Sequence, residues 1–261
     1  MKLATWNVNS LNVRLPHVLE WLQAQAAGDE IDVLVLQETK LTDDKFPAQA
    51  FLDLGYEIAF FGQKTYNGVA IISKHPLLDV HKNIVGFEDD MARVISASVL
   101  GIRVIGAYFP NGQSPESDKF AYKMRWLEAL THWVSALSAQ SEPIALMGDF
   151  NITWDDLDVW DPVELAGSIH CTDEERAHFK NLLDIGLFDA FRQLHPTEKK
   201  FSWWDYREAA FRRNKGLRID HILLSTALKD QVQACEIDKD ARKKERPSDH
   251  APVWVQLDVN G

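Results

Sequence analysis

Cysteine and long hydrophobic runs are both scarce in this chain. Only Cys171 and Cys235 occur among its 261 residues, too few for the disulfide framework that stabilises small secreted domains. No hydrophobic stretch approaches the length of a membrane span. Asn7 and Asn9 stand where a signal peptide needs an apolar run. We therefore expect a soluble cytoplasmic protein that does not associate with membranes.

Positive charge is also in deficit. The 28 Lys and Arg residues face 39 Asp and Glu residues, which gives a net charge of −11 and a pI of about 5.3. This sum argues against nucleic acid as a partner, because phosphate contacts need Lys and Arg. A local basic patch combined with a divalent cation would still bind phosphates, so the distribution of charge matters more than its total.

Length and composition are those of an ordinary globular protein. Hydrophobic residues make up 46% and charged residues 26% of the 261 residues, enough chain for one large α/β domain or two small ones. Hydrophobic patterns predict strands at residues 2–8, 31–36, 56–61, 68–73, 93–100, 102–108, 144–147, 217–224, 232–237 and 252–257. Helical periodicity predicts helices at residues 14–27, 47–54, 118–137 and 174–185. Strands and helices in both halves predict two packed sheets covered by helices.

One predicted strand is followed directly by a polar pair. Residues 144–147 are apolar, and Gly148, Asp149, Phe150 and Asn151 come next. Side chains alternate along a strand, so Asp149 and Asn151 share a face if the extended geometry continues past Gly148. Such a pair can orient a water molecule and an oxyanion. The alternative is an Asx-type turn, which Asp and Asn favour.

Polar side chains recur where the predicted strands end. They are Asn7, Asn9, Glu38, Tyr108, Asp149, Asn151, Asp220, Asp249 and His250. Most of them would also serve as ordinary turn or surface residues. Asp220 is different, because it lies among apolar residues and a buried carboxylate without a partner is costly. His250 is the candidate for that partner.

This set of residue types fits the hydrolysis of phosphate esters. Glu38 and Asp side chains offer the oxygen ligands that a hard divalent cation prefers, and such a cation neutralises charge on the phosphoryl and leaving oxygens. Asp149 is the candidate for orienting or deprotonating a water. Asn7 and Asn151 can donate to non-bridging oxygens, and a His held by an Asp can stabilise their charge.

Eight motifs occur in one order between residues 4 and 252. They are Thr5-Trp6-Asn7-Val8-Asn9, Leu36-Gln37-Glu38-Thr39-Lys40, Tyr66-Asn67-Gly68-Val69-Ala70, Tyr108-Phe109-Pro110-Asn111-Gly112, Gly148-Asp149-Phe150-Asn151, Phe201-Ser202-Trp203-Trp204-Asp205-Tyr206, Gly216-Leu217-Arg218-Ile219-Asp220-His221 and Pro247-Ser248-Asp249-His250-Ala251-Pro252. In this order they resemble the exonuclease III family of abasic-site endonucleases, within the endonuclease/exonuclease/phosphatase fold that also contains DNase I. The resemblance implies an α/β fold, a four-layered sandwich of two packed mixed β-sheets flanked by helices, forming a single domain over residues 1–261.

The resemblance also implies a metal-dependent DNA phosphoesterase of base-excision repair. Such an enzyme acts at abasic sites, at 3′ ends, or at both, as an AP endonuclease, a 3′–5′ exonuclease and a 3′-phosphatase. Its partner would be double-stranded DNA with abasic sites, nicks or blocked 3′ ends, bound by a monomer at the nucleoid. Glu38 would be the principal ligand of Mg²⁺, with Mn²⁺ as a substitute. Asn9 and Asp249 would lie near a second or alternate metal position.

The implied catalytic side chains are Asn7, Tyr108, Asp149, Asn151, Asp220 and His250. In this interpretation Asp149 activates water, and the two Asn side chains position the water or the scissile phosphate. Tyr108 and His250 touch the phosphate, and Asp220 orients His250.

Two further groups are implied to contact DNA. Trp203, Leu217 and Ile219 match positions that wall the abasic-sugar pocket, whereas Lys40 and Asn111 match positions near the DNA backbone.

Two basic runs support a DNA partner independently of the resemblance. The first contains Arg207, Arg212, Arg213, Lys215 and Arg218, and the second contains Arg242, Lys243, Lys244 and Arg246. A run of charge is usually a solvated face. Because both runs flank candidate catalytic residues in an acidic protein, we interpret them as a rim that contacts phosphates.

His170 departs from the family pattern. The related enzymes carry smaller residues such as Gly in this loop, so a His would narrow the pocket that accepts a flipped-out abasic sugar. Terminal 3′ phosphates need no flipping, which would make the protein a 3′-end-processing specialist, a 3′-phosphatase and exonuclease with weak AP endonuclease activity. The alternative is that His170 is an exposed loop residue without effect.

Two other functions remain open. One is a phosphatase of the same fold that acts on lipid or inositol phosphates, which would not need the aromatic segment beside basic loops. The other is a regulator without catalytic activity, which would be expected to lose Glu38, Asp149 or His250.

Overall fold

Two six-stranded β-sheets form the centre of the structure, a computed structural model that describes residues 1–25, 28–140 and 142–259. In chain order the strands are β1 (Lys2–Asn7), β2 (Val33–Gln37), β3 (Glu57–Phe61), β4 (Val69–Ser73), β5 (Leu78–Lys82), β6 (Val94–Val99), β7 (Ile102–Tyr108), β8 (Ile144–Asp149), β9 (Leu187–Asp189), β10 (Asp220–Ser225), β11 (Val232–Ile237) and β12 (Val253–Leu257). The α-helices are α1 (Leu11–Gln23), α2 (Ala48–Leu52), α3 (Asp118–Ser138), α4 (Asp173–Asp184) and α5 (Ala190–Leu194). The spatial orders are β11-β12-β1-β2-β4-β3 and β5-β6-β7-β8-β10-β9.

Each sheet contains a parallel pair of central strands, β1 with β2 and β7 with β8. Strands of this kind are covered on both faces, which explains their nearly continuous apolar sequences. Parallel strands end at the same edge, so Asn7 pairs with Gln37 and Tyr108 pairs with Asp149. The antiparallel strand β10 begins opposite Asp149 with Asp220. The topology therefore brings the polar residues at these strand ends close to one another.

The sheets pack face to face through a core that contains residues of both. Gly106 of β7 permits this approach, because a Cβ at its position would lie 2.3 Å from Cγ1 of Val35 in β2. Val18 of α1 packs on the outer face of the first sheet. Trp126 of α3 and Phe179 of α4 pack on the outer face of the second. This arrangement is the four-layered sandwich that the family resemblance implies.

Several predicted boundaries differ from the structure. The helix predicted at residues 14–27 is Leu11–Gln23, so Pro16 lies in its second turn, and residues 26–27 fall outside the described part of the chain. Strand β5 lacks a buried face, since all five of its residues are exposed, and its sequence gives no strand prediction. The strand predicted at 217–224 begins at Asp220. Among the described helices, none is long and apolar enough to cross a membrane.

Candidate active site

The ends of the central strands bring carboxylates from both sheets together. Glu38 follows β2 in the first sheet, and Asp149 ends β8 in the second. Between them lies the buried amide of Asn7, whose Nδ2 donates to Oε1 of Glu38 and to Oδ2 of Asp149, each at 2.8 Å. One side-chain amide therefore holds the two carboxylates close to each other across the interface between the sheets.

The chain turns sharply after Asp149. Gly148 is required just before the turn, because a Cβ there would lie 1.8 Å from the carbonyl oxygen of Ala107. Asn151 adopts the left-handed conformation with φ of 50°, and its backbone N–H donates to Oδ1 of Asp149 at 2.9 Å. Its side-chain Nδ2 donates to the carbonyl oxygen of Phe109 at 3.0 Å. The Asx turn considered as the alternative is present, and the chain leaves the extended geometry there, yet Asp149 and Asn151 remain neighbours.

The environment of Asp149 makes it a weaker acid than an exposed carboxyl. Burial raises the pKa of Asp149 to about 7, although the charge of His250 and the hydrogen bond from Asn7 oppose this rise. The nearby carboxylates of Asp220 and Glu38 raise the pKa further. A carboxylate that titrates near neutral pH has the acidity that a general base needs.

A buried carboxylate holds His250. Oδ2 of Asp220 accepts from Nδ1 of His250 at 2.8 Å and from the hydroxyl of Ser202 at 2.7 Å. Burial alone would lower the pKa of His250, but the carboxylates of Asp220 and Asp149 raise it to about 10. His250 is therefore a cation at neutral pH. Its Nε2 lies 3.7 Å from Oδ2 of Asp149, so the positive charge of the imidazole lies next to the carboxylate of Asp149.

Tyr108 ends β7 beside this group. Burial raises the pKa of its hydroxyl well above the usual value, and the carboxylates of Glu38 and Asp149 raise it further. The guanidinium of Arg93 covers the ring at 5.1 Å from its centroid. The phenol therefore stays protonated and is available as a hydrogen-bond donor.

Three of these side chains are candidates for holding a metal ion. Ligand atoms of Glu38, Asp149 and His250 lie within 4.8 Å of one another. Carboxylate oxygens suit a hard divalent cation, whereas a protonated imidazole has no free lone pair to offer. The donor set therefore fits a divalent cation held on the side of the two carboxylates, with His250 as a second positive charge nearby.

Asn9 and Asp249 form a separate polar group next to the first. Nδ2 of Asn9 donates to Oδ1 of Asp249, and the indole of Trp203 donates to Oδ2, both at 3.0 Å. Nζ of Lys40 donates to Oδ1 of Asn9 at 2.6 Å and lies 3.0 Å from Oε2 of Glu38. Lys40 thus faces the acidic group, and a second metal position at Asn9 and Asp249 stays a prediction.

A cavity of about 600 Å³ lies beside the candidate catalytic residues, and its lining residues Asn111 and His170 contact Asn151. Trp160, Trp203 and Leu217 supply aromatic and apolar walls, and Asn111 also lines the cavity. Ile219, predicted as a wall residue, packs instead with Leu217 in the apolar cluster adjoining this wall.

His170 is part of the cavity wall. Its side chain is buried, with a residue exposure of 8%, so the alternative of an exposed loop residue is wrong. Nδ1 lies 2.7 Å from the carbonyl oxygen of Asn151, which can only accept, so Nδ1 carries the proton. Burial lowers the pKa of His170 to about 4, and the charge of Lys123 contributes. The neutral ring therefore directs the lone pair of Nε2 towards Nδ2 of Asn111, 3.5 Å away.

Part of the first basic run is exposed, and Arg207 and Lys215 of this run line the cavity. Arg207, Arg212 and Arg213 lie on the surface of this loop, although Arg207 forms an ion pair with Asp205 at 2.6 Å. The ammonium of Lys215 lies 4.0 Å from the ring centroid of the wall residue Trp160. These cations are available to phosphates that approach the cavity.

Two arginines of the basic runs are not available. Arg218 is 1% exposed, and its guanidinium donates to Asp158 and Asp189, each at 2.7 Å. Arg242 is also buried and donates to the carbonyl oxygen of Ser248 at 2.8 Å. The prediction that Arg218 and Arg242 belong to the phosphate-contacting rim is wrong, because both stabilise the interior.

Sequence reasoning missed a buried ion pair behind the site. The side chains of Lys123 in α3 and Glu175 in α4 are fully buried against each other. Nζ of Lys123 also donates to the carbonyl oxygens of Asn151 at 2.7 Å and Asn111 at 3.3 Å. The available signal was spacing, since Lys123 lies three residues before Trp126 on the apolar face of α3.

Two packed sheets with a candidate acidic metal site at their edge are typical of one class of phosphoesterases. The chain matches the model of the Endonuclease/Exonuclease/phosphatase family over residues 4–250, and it belongs to that family. It is 39% identical over 273 residues to exodeoxyribonuclease III of Haemophilus influenzae, an alignment that covers 98% of this chain and 100% of the relative.

Comparison with solved structures supports the same family membership. A 3′ phosphatase from Neisseria bound to a product DNA hairpin is 48% identical with a TM-score of 0.96, covering 99% of this chain and 100% of that chain. An AP endonuclease from Archaeoglobus fulgidus is 36% identical with a TM-score of 0.93 and the same coverage. The predicted family, the predicted fold class and the predicted class of enzyme, a hydrolase acting on DNA, are confirmed.

Proposed function

We propose that this protein is a metal-dependent DNA phosphoesterase of base-excision repair, with 3′ ends as its better substrates and internal abasic sites as its poorer ones. The proposal rests on the group formed by Asn7, Glu38, Asp149 and His250 beside a cavity that His170 narrows. The substrate would be double-stranded DNA with nicks or blocked 3′ ends. We expect the chain to act as one domain and as a monomer in the cytoplasm.

In the proposed reaction Asp149 orients a water molecule and takes its proton. Its pKa of about 7 makes it basic enough for this task near neutral pH. Asn7 fixes the orientation of Oδ2, and the backbone N–H of Asn151 fixes Oδ1. Both oxygens are thus held in place before the substrate binds, which lowers the entropic cost of reaching the transition state.

Positive and donor groups face the phosphate that the water attacks. The protonated His250, held by Asp220, would stabilise charge on a phosphoryl oxygen, and the hydroxyl of Tyr108 would donate to another. We assign Glu38 as the principal ligand of Mg²⁺, with Mn²⁺ as a substitute. When bound, the cation neutralises negative charge on the phosphoryl and leaving oxygens.

The DNA would lie across the cavity and the exposed basic loop. We assign Arg207, Arg212 and Arg213 to contacts with backbone phosphates, with Asn111 in the cavity wall and Lys40 beside Glu38. Because these contacts release counterions, binding should weaken steeply as salt rises.

The position of His170 favours 3′-end processing. An internal abasic sugar must rotate out of the duplex into a pocket, and here an imidazole fixed by the carbonyl of Asn151 occupies part of the wall. A terminal phosphate reaches Asp149 without that rotation. The 48% identity to the Neisseria 3′ phosphatase, against 36% to the Archaeoglobus AP endonuclease, supports the same choice.

The test is phosphate release from a nicked duplex with a 3′ phosphate. We expect release that requires Mg²⁺, stops with a chelator, and falls by on the order of 1,000-fold in Asp149→Asn, which removes the base. Asp184→Asn, a change of the same type at an exposed residue of α4, is the matched control. Release by Asp149→Asn at the rate of wild type would contradict the assignment.

A further inference from the structure

The buried ammonium of Lys123 connects two loops of the site. Its three protons are directed to Glu175 and to the carbonyl oxygens of Asn151 and Asn111. Asn111 lies in the loop after β7, and Asn151 lies in the loop after β8. The side chains of these two residues meet, since Nδ2 of Asn111 lies 3.3 Å from Oδ1 of Asn151.

The carbonyl of Asn151 accepts a second hydrogen bond, from Nδ1 of His170 at 2.7 Å. These two donors hold the backbone of Asn151, whose φ of 50° lies in the left-handed region. Gly adopts this region freely, Asn and Asp tolerate it, and it is strained for most other residues. Lys123 therefore acts on the backbone of Asn151 and, through that carbonyl, on the ring of His170.

Glu175 ties the same pair to the loop that carries His170. Its Oε2 accepts from the backbone N–H of Thr172 at 3.2 Å and from the Thr172 hydroxyl at 2.9 Å, which completes the capping box of α4. Thr172 is two residues from His170. One ion pair thus joins helices α3 and α4 to three loops around the site.

Stability alone does not explain this pair. Replacing a buried ion pair by neutral groups of similar volume is often neutral or stabilising, because removing charges from water is costly. The side chains of Lys123 and Glu175 are both 0% exposed, and the site residues they hold are Asn151, Asn111 and His170. The contacts of the ammonium with two carbonyl groups favour a role in geometry.

We propose that Lys123 and Glu175 are positioning residues for phosphate hydrolysis, which they serve by fixing the backbones of Asn151 and Asn111. This inference rests on the proposed function, because Asn151 is assigned there to the water or the phosphate. Neither residue of the pair touches the substrate. Their removal should lower kcat and leave DNA binding nearly unchanged.

The test is the double variant Lys123→Met/Glu175→Gln on the nicked 3′-phosphate duplex. Removing both charges avoids an unpaired buried charge, and Gln can still serve in the capping box. We expect a folded protein with kcat lower by about 10- to 100-fold, the loss that a small misplacement of catalytic groups causes. KM should stay within about twofold, since of the proposed DNA-contacting residues the pair donates only to Asn111, and the exposed arginines are unchanged.

Lys2→Met/Asp29→Asn is the matched control. It removes a Lys–Asp pair of 3.0 Å at the opposite end of β1 from Asn7, so we expect an altered Tm and an unaltered kcat. A double-mutant cycle between the neutral pair and Asn151→Ala adds a second readout. If the pair acts through Asn151, its effect on kcat should largely disappear in the Asn151→Ala background.

The proposal is overturned by a folded Lys123→Met/Glu175→Gln variant with wild-type kcat, or by effects that simply add in the cycle. If the double variant does not fold, Lys123→Gln/Glu175→Gln replaces it, since two amides can hydrogen-bond to each other and leave no buried charge unpaired. A kcat lower by about threefold or more at unchanged KM would then support the proposal, and wild-type kcat would overturn it. Absence of turnover in wild type would instead contradict the proposed function.

Discussion

His170→Gly should convert the protein into a better abasic endonuclease without unfolding it. The change removes an imidazole from the wall of a cavity of about 600 Å³. It loses the hydrogen bond from Nδ1 to the carbonyl of Asn151, which stabilises the fold by about 1 kcal/mol. His170 also has a φ of 73°, and relief of that left-handed conformation by Gly returns about 1 kcal/mol. These two effects nearly cancel.

The assay compares the initial rate of cleavage at an internal abasic analogue with the rate of 3′-phosphate release. We expect the abasic rate to rise by at least about tenfold, because wider access to the pocket acts only on the substrate that must flip. Release of the 3′ phosphate should change by less than about threefold, because Lys123 still donates to the carbonyl oxygen of Asn151. His178→Gly in α4 is the control for loss of an imidazole elsewhere. A folded His170→Gly variant with no gain at the abasic site would refute the reasoning.

Three further predictions follow from the buried charges. Burial lowers the pKa of His170 from 6.5 to about 4, so between these two pH values His170 is protonated in the unfolded state but neutral in the folded state. Wild type should therefore lose up to about 3 kcal/mol of unfolding free energy as the pH falls from 6.5 to 4. Denaturant titrations should show a smaller loss in His170→Gly. Asp220→Asn should lower the pKa of His250 and reduce kcat on the order of 100-fold, with a deficit that grows as pH rises from 6 to 9. Arg218→Met should destabilise the fold by about 3 to 5 kcal/mol in thermal or chemical unfolding, because it leaves Asp189 buried without its arginine and Asp158 with Arg192 alone.

The order of the eight motifs along the chain predicted more of the fold and the candidate site than any other feature of the sequence. Asp149 and Asn151 are neighbours in sequence, and the polar ends of parallel strands must meet at one edge of a sheet, so local pattern and topology suffice for the centre of the site. Asp220 was recognisable because a carboxylate among apolar residues needs a partner. The structure places it against His250, 30 residues further along the chain.

Pairing over long distances could not be predicted from the sequence. Arg218 resembled its exposed neighbours, and only its partners Asp158 and Asp189, 60 and 29 residues away, make it a buried residue. Lys123 is likewise paired with Glu175, 52 residues further along the chain. In each case the charge is visible in the sequence, but the group that neutralises it is not.

Charge composition illustrates the same limit. A net charge of −11 suggests a poor DNA-binding protein, yet Arg212 and Arg213 are exposed on the loop whose residues Arg207 and Lys215 line the cavity. Local arrangement decides binding, since interactions between exposed charges are screened within about 10 Å.

The most direct measurement of the central claim uses two labelled duplexes at low salt with Mg²⁺. One duplex carries an internal abasic analogue, and the other carries a nick with a 3′ phosphate. We predict rapid release of the 3′ phosphate and little cleavage at the abasic analogue. Comparable rates on both duplexes would contradict the account and make the protein a general abasic endonuclease in which His170 has no selective role. Absence of both reactions in folded protein would contradict the assignment of a phosphoesterase.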